Sequence, residues 1–244
     1  MRALVNDPQV TSVNRLPMRS SGWLCDSVDQ ARLAGDKPLN SQTQSSSWQI
    51  SLDGSWQFRL LDKPEDLTAE LLTGSTAAAD WHSIQVPGAW TLQGPDSSIG
   101  DGRQAFEAPH YTNVIMPFDA DPPAVPAQNP TGVYRRVVSV PKHWKKRRIV
   151  LRVGAAESVV QVFVNGEFVG GGTDSRLPSE FDLTPLMKSG RPVQLALVVT
   201  NGRLRLGSRI RISGGTGVFK DLFMCTPRRS ITFSRSRFCR ACSR

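Results

Sequence analysis

The sequence predicts an all-β protein, an antiparallel β-sandwich of jelly-roll type. Three observations lead there. Between Val133 and Val199, five short runs with strand signals follow one another at close intervals: VYRRVVSV, RIVLRV, SVVQVFV, EFVGG and VQLALVV. Asn165-Gly166 stands between two of them, and that dipeptide tolerates the positive φ angles of a tight hairpin turn. Helical periodicity is nearly absent over the same span.

The elements follow in order. Residues 1–47 are polar, interrupted by Pro8, Pro17 and Pro38, and end in a Ser/Gln cluster; they read as an extended arm with little regular structure. SWQISLDGSWQFRLL then alternates apolar and polar residues on both sides of Asp53-Gly54, a hairpin signal. Residues 64–74 suit one short helix, and TAAADWHSIQVPGAW leads into a further strand that stops at Pro87-Gly88. Pro109, Pro117, Pro122, Pro123, Pro126 and Pro130 make 107–131 a long ordered loop or a linker. The strand-rich block closes at Thr200. The domain is therefore placed at 48–200, with 1–47 as an arm and 201–244 as an irregular basic segment.

Charge divides the chain at the same point. The 244 residues carry 30 Lys/Arg and 21 Asp/Glu, a basic excess that ordinarily raises nucleic acid as a partner. Residues 203–244 hold eleven of those bases against one acid, Asp221, and three of the four cysteines, Cys225, Cys239 and Cys242. That leaves 19 basic and 20 acidic residues in the first 202. The excess therefore belongs to the tail, and no nucleic-acid partner is expected of the domain. No apolar run reaches the roughly 18 residues of a membrane span, and MRALVNDPQVTSVNRLP lacks the apolar core of a signal peptide. A cytoplasmic location without membrane contact is expected.

Several stretches resemble one family. NDPQVTSVNRLPMRS is similar to the N-terminal arm of the large microbial β-galactosidases of glycoside hydrolase family 2. SLDGSWQF, VPGAW, HYTNVIMPFDADPPAVPAQNPTGVYRR, VFVNGEFVG and TDSRLPSEFDLTPLMKSG resemble its first domain, in the same order. The likeness covers about residues 5–200, with GVFKDLFMCTP at 217–227 as a further island. It implies a jelly-roll sugar-binding domain that packs against a (β/α)8 barrel. That barrel supplies the acid/base and nucleophile glutamates of a retaining glycosidase. The sequence ends at Arg244, so the catalytic glutamates are expected to be absent and the chain inactive alone.

Two positions match the family's ligand contacts. Asn113, in HYTNV, corresponds to an asparagine that contacts the galactosyl group, and an amide offers a donor and an acceptor to neighbouring hydroxyls. Asp174, in TDSRLPSEFD, corresponds to an aspartate that binds galactose and sodium. A carboxylate can accept from hydroxyls and coordinate a hard cation. The sodium site would be partial, since its other ligands come from the barrel, and the family's magnesium site is not expected in this chain. Without the family likeness, Asn113 reads as a turn residue, and Asp174 as a turn cap or a partner of Arg176. The resemblance gives a galactoside as substrate and the catalytic portion as a possible partner. A stand-alone carbohydrate-binding module and a basic nucleic-acid-binding protein are the readings from other classes.

Other chemistry-bearing residues form no pattern. His82, His110 and His143 have no triad arrangement around them. Asp80 reads as surface loop, as does His82. Glu157 and Glu180 are the tempting pair of carboxylates, but Glu180 lies in SEFD, where a structural role fits better. KHWKKRR at 142–148 falls between strands and reads as a solvated turn. Cys225, Cys239 and Cys242 are three thiols without a nearby histidine, too few for a closed zinc site.

After VQLALVVT the family continues with Trp-Ser and an acidic, Trp-containing stretch. This chain instead has NGRLRLGSRIRISGGTG before the likeness resumes. Codons permissible for 201–217 can, two bases on, encode a peptide of the family type, so the block is read as a shifted reading frame. The same reading extends to the residues after Pro227. On this view the last strands of the sandwich are lost, its ladder edges stand open, and the isolated chain is poorly soluble.

Overall fold

A computed structural model describes residues 2–18, 27–29, 47–74, 80–94, 105–107, 128–174, 177–202 and 219–225. Two antiparallel sheets face each other. The strands are β1 (Ser12–Val13), β2 (Gln49–Ser51), β3 (Gly54–Leu61), β4 (His82–Val86), β5 (Thr131–Val138), β6 (Val150–Ala156), β7 (Val159–Val164), β8 (Glu167–Gly172), β9 (Ser179–Asp182), β10 (Val193–Thr200) and β11 (Phe219–Cys225). The larger sheet has the order β1-β8-β7-β10-β5-β3-β4, and the smaller β2-β11-β6-β9. Among the described residues two short α-helices accompany them, α1 (Arg2–Asn6) and α2 (Ala69–Thr73).

The five strand-like runs are β5, β6, β7, β8 and β10, as their strand signals indicate. Asn165 and Gly166, at φ 50° and 82°, turn β7 into β8. The other turn signal misleads. Asp53-Gly54 joins strands of different sheets: β2 pairs with β11, and β3 with β4 and β5. The chain crosses the sandwich there, with Gly54 at φ 112°. Turn chemistry is the same for a hairpin and a sheet crossing; the partners decide.

The core between the sheets is aromatic. Phe58 lies against Phe106, Tyr134 and Trp90, with ring centroids 4.8, 4.8 and 5.9 Å away. Each fully buried indole has a partner, as burial of an N–H requires. Trp56 and Trp144 donate to the carbonyls of Leu52 and Ser47, and Trp90 to the Glu107 carboxylate. Gly132 lets the Trp90 ring cross β5, since a Cβ there would stand 2.6 Å from that ring. Burial alone pushes the Tyr134 phenol well up.

The arm is more than an extended segment. Helix α1 places Leu4 and Val5, both buried, against Val159 on the outer side of the larger sheet. Strand β1 then pairs with β8. Asn14 turns at φ 52°, Arg15 bridges Phe181, and the Leu16 N–H donates to the Glu180 carbonyl. The arm thus passes from one sheet to the other and covers the β9 edge. Three consecutive glycines in β8 make room for it. A Cβ on Gly170 would meet the Val13 carbonyl at 2.6 Å, and one on Gly171 would meet Leu4 at 2.5 Å.

The expected loss of the last strand is also corrected. Residues 219–225 form β11 between β6 and β2, inside the smaller sheet. The sandwich therefore extends past residue 200. Most of the substituted block, 203–218, lies outside the described residues, as do the proline-rich segment 108–127 and the tail 226–244. At the far edge of the larger sheet, the Gln93 side chain accepts from the Gln85 N–H and donates to the Gln85 carbonyl. One amide there occupies a backbone donor and acceptor that would otherwise offer pairing to another strand.

If the arm is part of the core, Leu4→Ala should lower the unfolding free energy of the chain by about 2–4 kcal/mol in urea melts, the usual cost of emptying a buried leucine site. A passive extension would leave the midpoint unchanged.

Candidate sugar-binding end

Strand register sorts the loops into two ends. Thr131, Leu61, Thr200, Val159, Gly172 and Ser179 mark strand ends on one side of the molecule, together with the β6–β7 connection. The segment that follows β8 emerges there and carries Asp174. It is tied to the arm twice, because the Thr173 N–H and hydroxyl both donate to the Thr11 carbonyl, at 3.2 and 3.1 Å.

Asp174 is half-buried, and its Oδ1 accepts the Leu177 N–H at 3.0 Å. This is the turn-capping role that residue type alone suggests. Asn113 lies outside the described residues. The structure therefore gives the surroundings of one of the two expected contacts and does not bring the pair together. Among the described residues no group of three or more His, Cys, Asp or Glu is placed to hold a metal ion. Asp174 Oδ1 is committed to the Leu177 N–H, and the carboxylate has further lone pairs beyond that bond.

A polar network at the same end escaped sequence reasoning. Half-buried Glu107 accepts from Trp90 Nε1 and from Asn201 Nδ2, the latter at 3.3 Å. The Asn129 amide donates to the Gly202 carbonyl at 3.0 Å and accepts the Gly202 N–H at 2.7 Å. The Asn201 N–H donates to the Pro130 carbonyl, and the Ser158 hydroxyl to the Asn201 carbonyl. Asn201 Oδ1 is buried without a hydrogen-bond partner. The network ties the exit of β10 to the entry of β5 and fixes the chain on leaving the sandwich. No local signal reveals it, since Glu107 and Asn201 are 94 positions apart.

The remaining candidates have structural partners. Asp80 pairs with Arg59 at 3.1 Å. His82 sits on β4 beside Phe106. His143 Nε2 is 3.0 Å from the Ser47 carbonyl. Glu157 is in the β6–β7 connection, and Glu180 is nearly buried 3.8 Å from Arg152. His110, Cys239 and Cys242 lie outside the described residues, and Cys225 closes β11.

At the opposite end, Asp182 accepts from the Thr184 hydroxyl and N–H and from Arg148 Nε at 2.7 Å. Burial works to raise this carboxyl. The bonds from Thr184 and the Arg148 charge outweigh it and hold Asp182 below the usual carboxylate range.

Residues 50–221 match the sugar-binding domain of the glycosyl hydrolases family 2. The chain belongs to that family. It is 37% identical over 186 residues to a β-galactosidase of Aeromonas hydrophila, covering 74% of this chain and 16% of that protein. It is 39% identical over 147 residues to a β-galactosidase of Psychromonas ingrahamii, covering 60% of this chain and 13% of that protein. The chain thus spans only a small part of these relatives. Among solved structures, a Faecalibacterium prausnitzii β-glucuronidase superposes with a TM-score of 0.53 at 18% identity, over 76% of this chain and 33% of that one. At that identity the likeness supports the fold, an all-β sandwich. The family 2 domain match reaches into β11, in agreement with its place in the smaller sheet.

The Asp182 shift gives a pH prediction. A carboxyl whose folded pKa lies below its unfolded value contributes stability above the unfolded value, about 4 for aspartate. That contribution is lost as pH falls through the lower folded value. Asp182→Asn should therefore destabilise the chain in urea melts near neutral pH, and the difference from the parent should shrink below about pH 4. A difference that stays constant from neutral pH into acid would contradict the assignment.

Proposed function

We propose that this chain is the sugar-binding domain of a β-galactosidase, an enzyme that releases terminal non-reducing β-D-galactose, and that it holds substrate rather than cleaving it. The observation that carries this reading is the match of residues 50–221 to the family 2 sugar-binding domain, joined to identities of 37–39% with β-galactosidases. Cleavage with retention needs two carboxylates flanking the glycosidic bond. In the family resemblance those glutamates come from a barrel that this domain packs against. A catalytic portion is accordingly the proposed partner, supplied by further sequence or by another chain.

Asp174 is the proposed contact residue within the described structure. Its loop leaves the sandwich end and is anchored to the arm through Thr173. Oδ1 caps the turn, which sets the orientation of the carboxylate. A carboxylate so oriented can accept a hydrogen bond from a sugar hydroxyl. Asn113 is proposed as the second contact, through the amide chemistry its family position implies.

The test uses the full chain titrated with methyl β-D-galactoside and followed by ligand-observed NMR. Asp174→Asn keeps an oxygen to cap Leu177 and removes the charge. It should weaken binding about tenfold or more, the share of a charge-assisted hydrogen bond worth about 1.5–3 kcal/mol. The same preparation should not hydrolyse a nitrophenyl β-galactoside. Binding that is absent, or indifferent to Asp174→Asn, or turnover that follows the purified chain, would overturn the proposal.

A further inference from the structure

The basic run 142–148 is not absorbed by the sugar-binding reading, and the structure shows where it goes. It lies at the end opposite Asp174, because β5 and β10 meet there at Val138 and Val193, and β6 and β9 at Val150 and Asp182. The Lys142–Trp144 turn buries Trp144 and leaves Lys142, His143, Lys145 and Lys146 exposed. A second loop packs beside it. The Gly190 N–H donates to the Val140 carbonyl, and the Lys142 side chain runs over Gly190. That loop adds exposed Lys188 and Arg191. Arg147 stacks 3.7 Å above the Trp48 ring, and His143 meets the same ring edge-on.

The charge here is not neutralised. Arg148 is satisfied by Asp182, but among the described residues Lys142, Lys145, Lys146, Arg147, Lys188 and Arg191 form no ion pair with a carboxylate. Six cations thus converge on two adjacent loops, although residues 1–202 as a whole carry 19 basic and 20 acidic residues. Lys146 sits at φ 64°, a conformation that glycine or asparagine adopts more easily, so a lysine occupies a site where the backbone favours another residue.

We propose that this end is a binding surface for a sulfated polysaccharide. Six convergent cations match a polymer with repeated negative charge, whose binding releases counterions. Four of the six are lysines, whose compact ammonium charges can meet sulfate oxygens without a fixed geometry. Readers of single-stranded nucleic acid add aromatic faces on which bases stack. Here one Trp48 face is covered by Arg147 and Trp144 is buried, so charge is what the surface offers. The proposal is independent of the galactoside reading, since it uses the other end of the sandwich.

The test measures binding of a size-defined heparin oligosaccharide to the full chain across a salt series. Lys142→Glu/Lys145→Glu/Lys146→Glu should weaken binding at least about tenfold and reduce the slope of log K against log salt by roughly two to three. Lys188→Glu/Arg191→Glu, on the second loop, should act in the same direction and serves if the triple variant does not fold. The matched tail variant, Arg235→Glu/Arg237→Glu/Arg240→Glu, should change affinity much less. The proposal fails if the tail variant abolishes binding while both loop variants leave it intact. It also fails if oligo(dT) or inorganic polyphosphate of equal charge binds more tightly than heparin through the same lysines.

Discussion

Where β8 runs through Gly170, Gly171 and Gly172, the N-terminal arm lies directly on its backbone. Leu4 covers Gly171, the Val13 carbonyl approaches Gly170, and β1 pairs along the same stretch. Side chains at these positions would hold the arm off. With the arm in place, the larger sheet gains its last strand, the β9 edge of the smaller sheet is covered through Arg15 and Leu16, and Val159 is buried. Thr173 is then fastened to Thr11, and Asp174 follows immediately. The close approach of arm and glycines thus closes one side of the sandwich and positions the loop proposed to meet sugar.

Much of this architecture is legible in the sequence, and the exceptions have physical causes. The closely spaced strand-like runs and Asn165-Gly166 identify β5 to β8 and β10, because both signals depend on neighbours along the chain. Asp53-Gly54 carries the same local chemistry but joins two sheets. Strands β1 and β9 are too short to show a period, and β9 lies in SEFD, whose charges mask it. Strand β11 follows a segment of arginine, glycine and serine, and its place between β6 and β2 is set by long-range pairing. The glycine run looks unfavourable for a strand until the arm that requires it is seen.

The candidate site was less legible than the fold. Asp174 stands out only through the family resemblance, since an aspartate before a turn is common, and the structure shows it capping that turn. The Glu107, Asn129 and Asn201 network joins segments far apart in sequence, so only folding reveals it. The charge pattern sharpened in a different way. The tail explains the whole-chain excess, yet the sandwich keeps a compact basic surface of its own, opposite the candidate sugar end.

The position of the Asp174 loop depends most on the arm that holds it in the full chain. Hydrogen exchange at the Thr173 and Leu177 amides reads this directly, since they donate to the Thr11 carbonyl and the Asp174 carboxylate. Both should exchange far more slowly than an unstructured peptide, and Leu4→Ala should accelerate Thr173 more than the amides of β10. Exchange of Thr173 and Leu177 at free-peptide rates, with β10 fully protected, would contradict it.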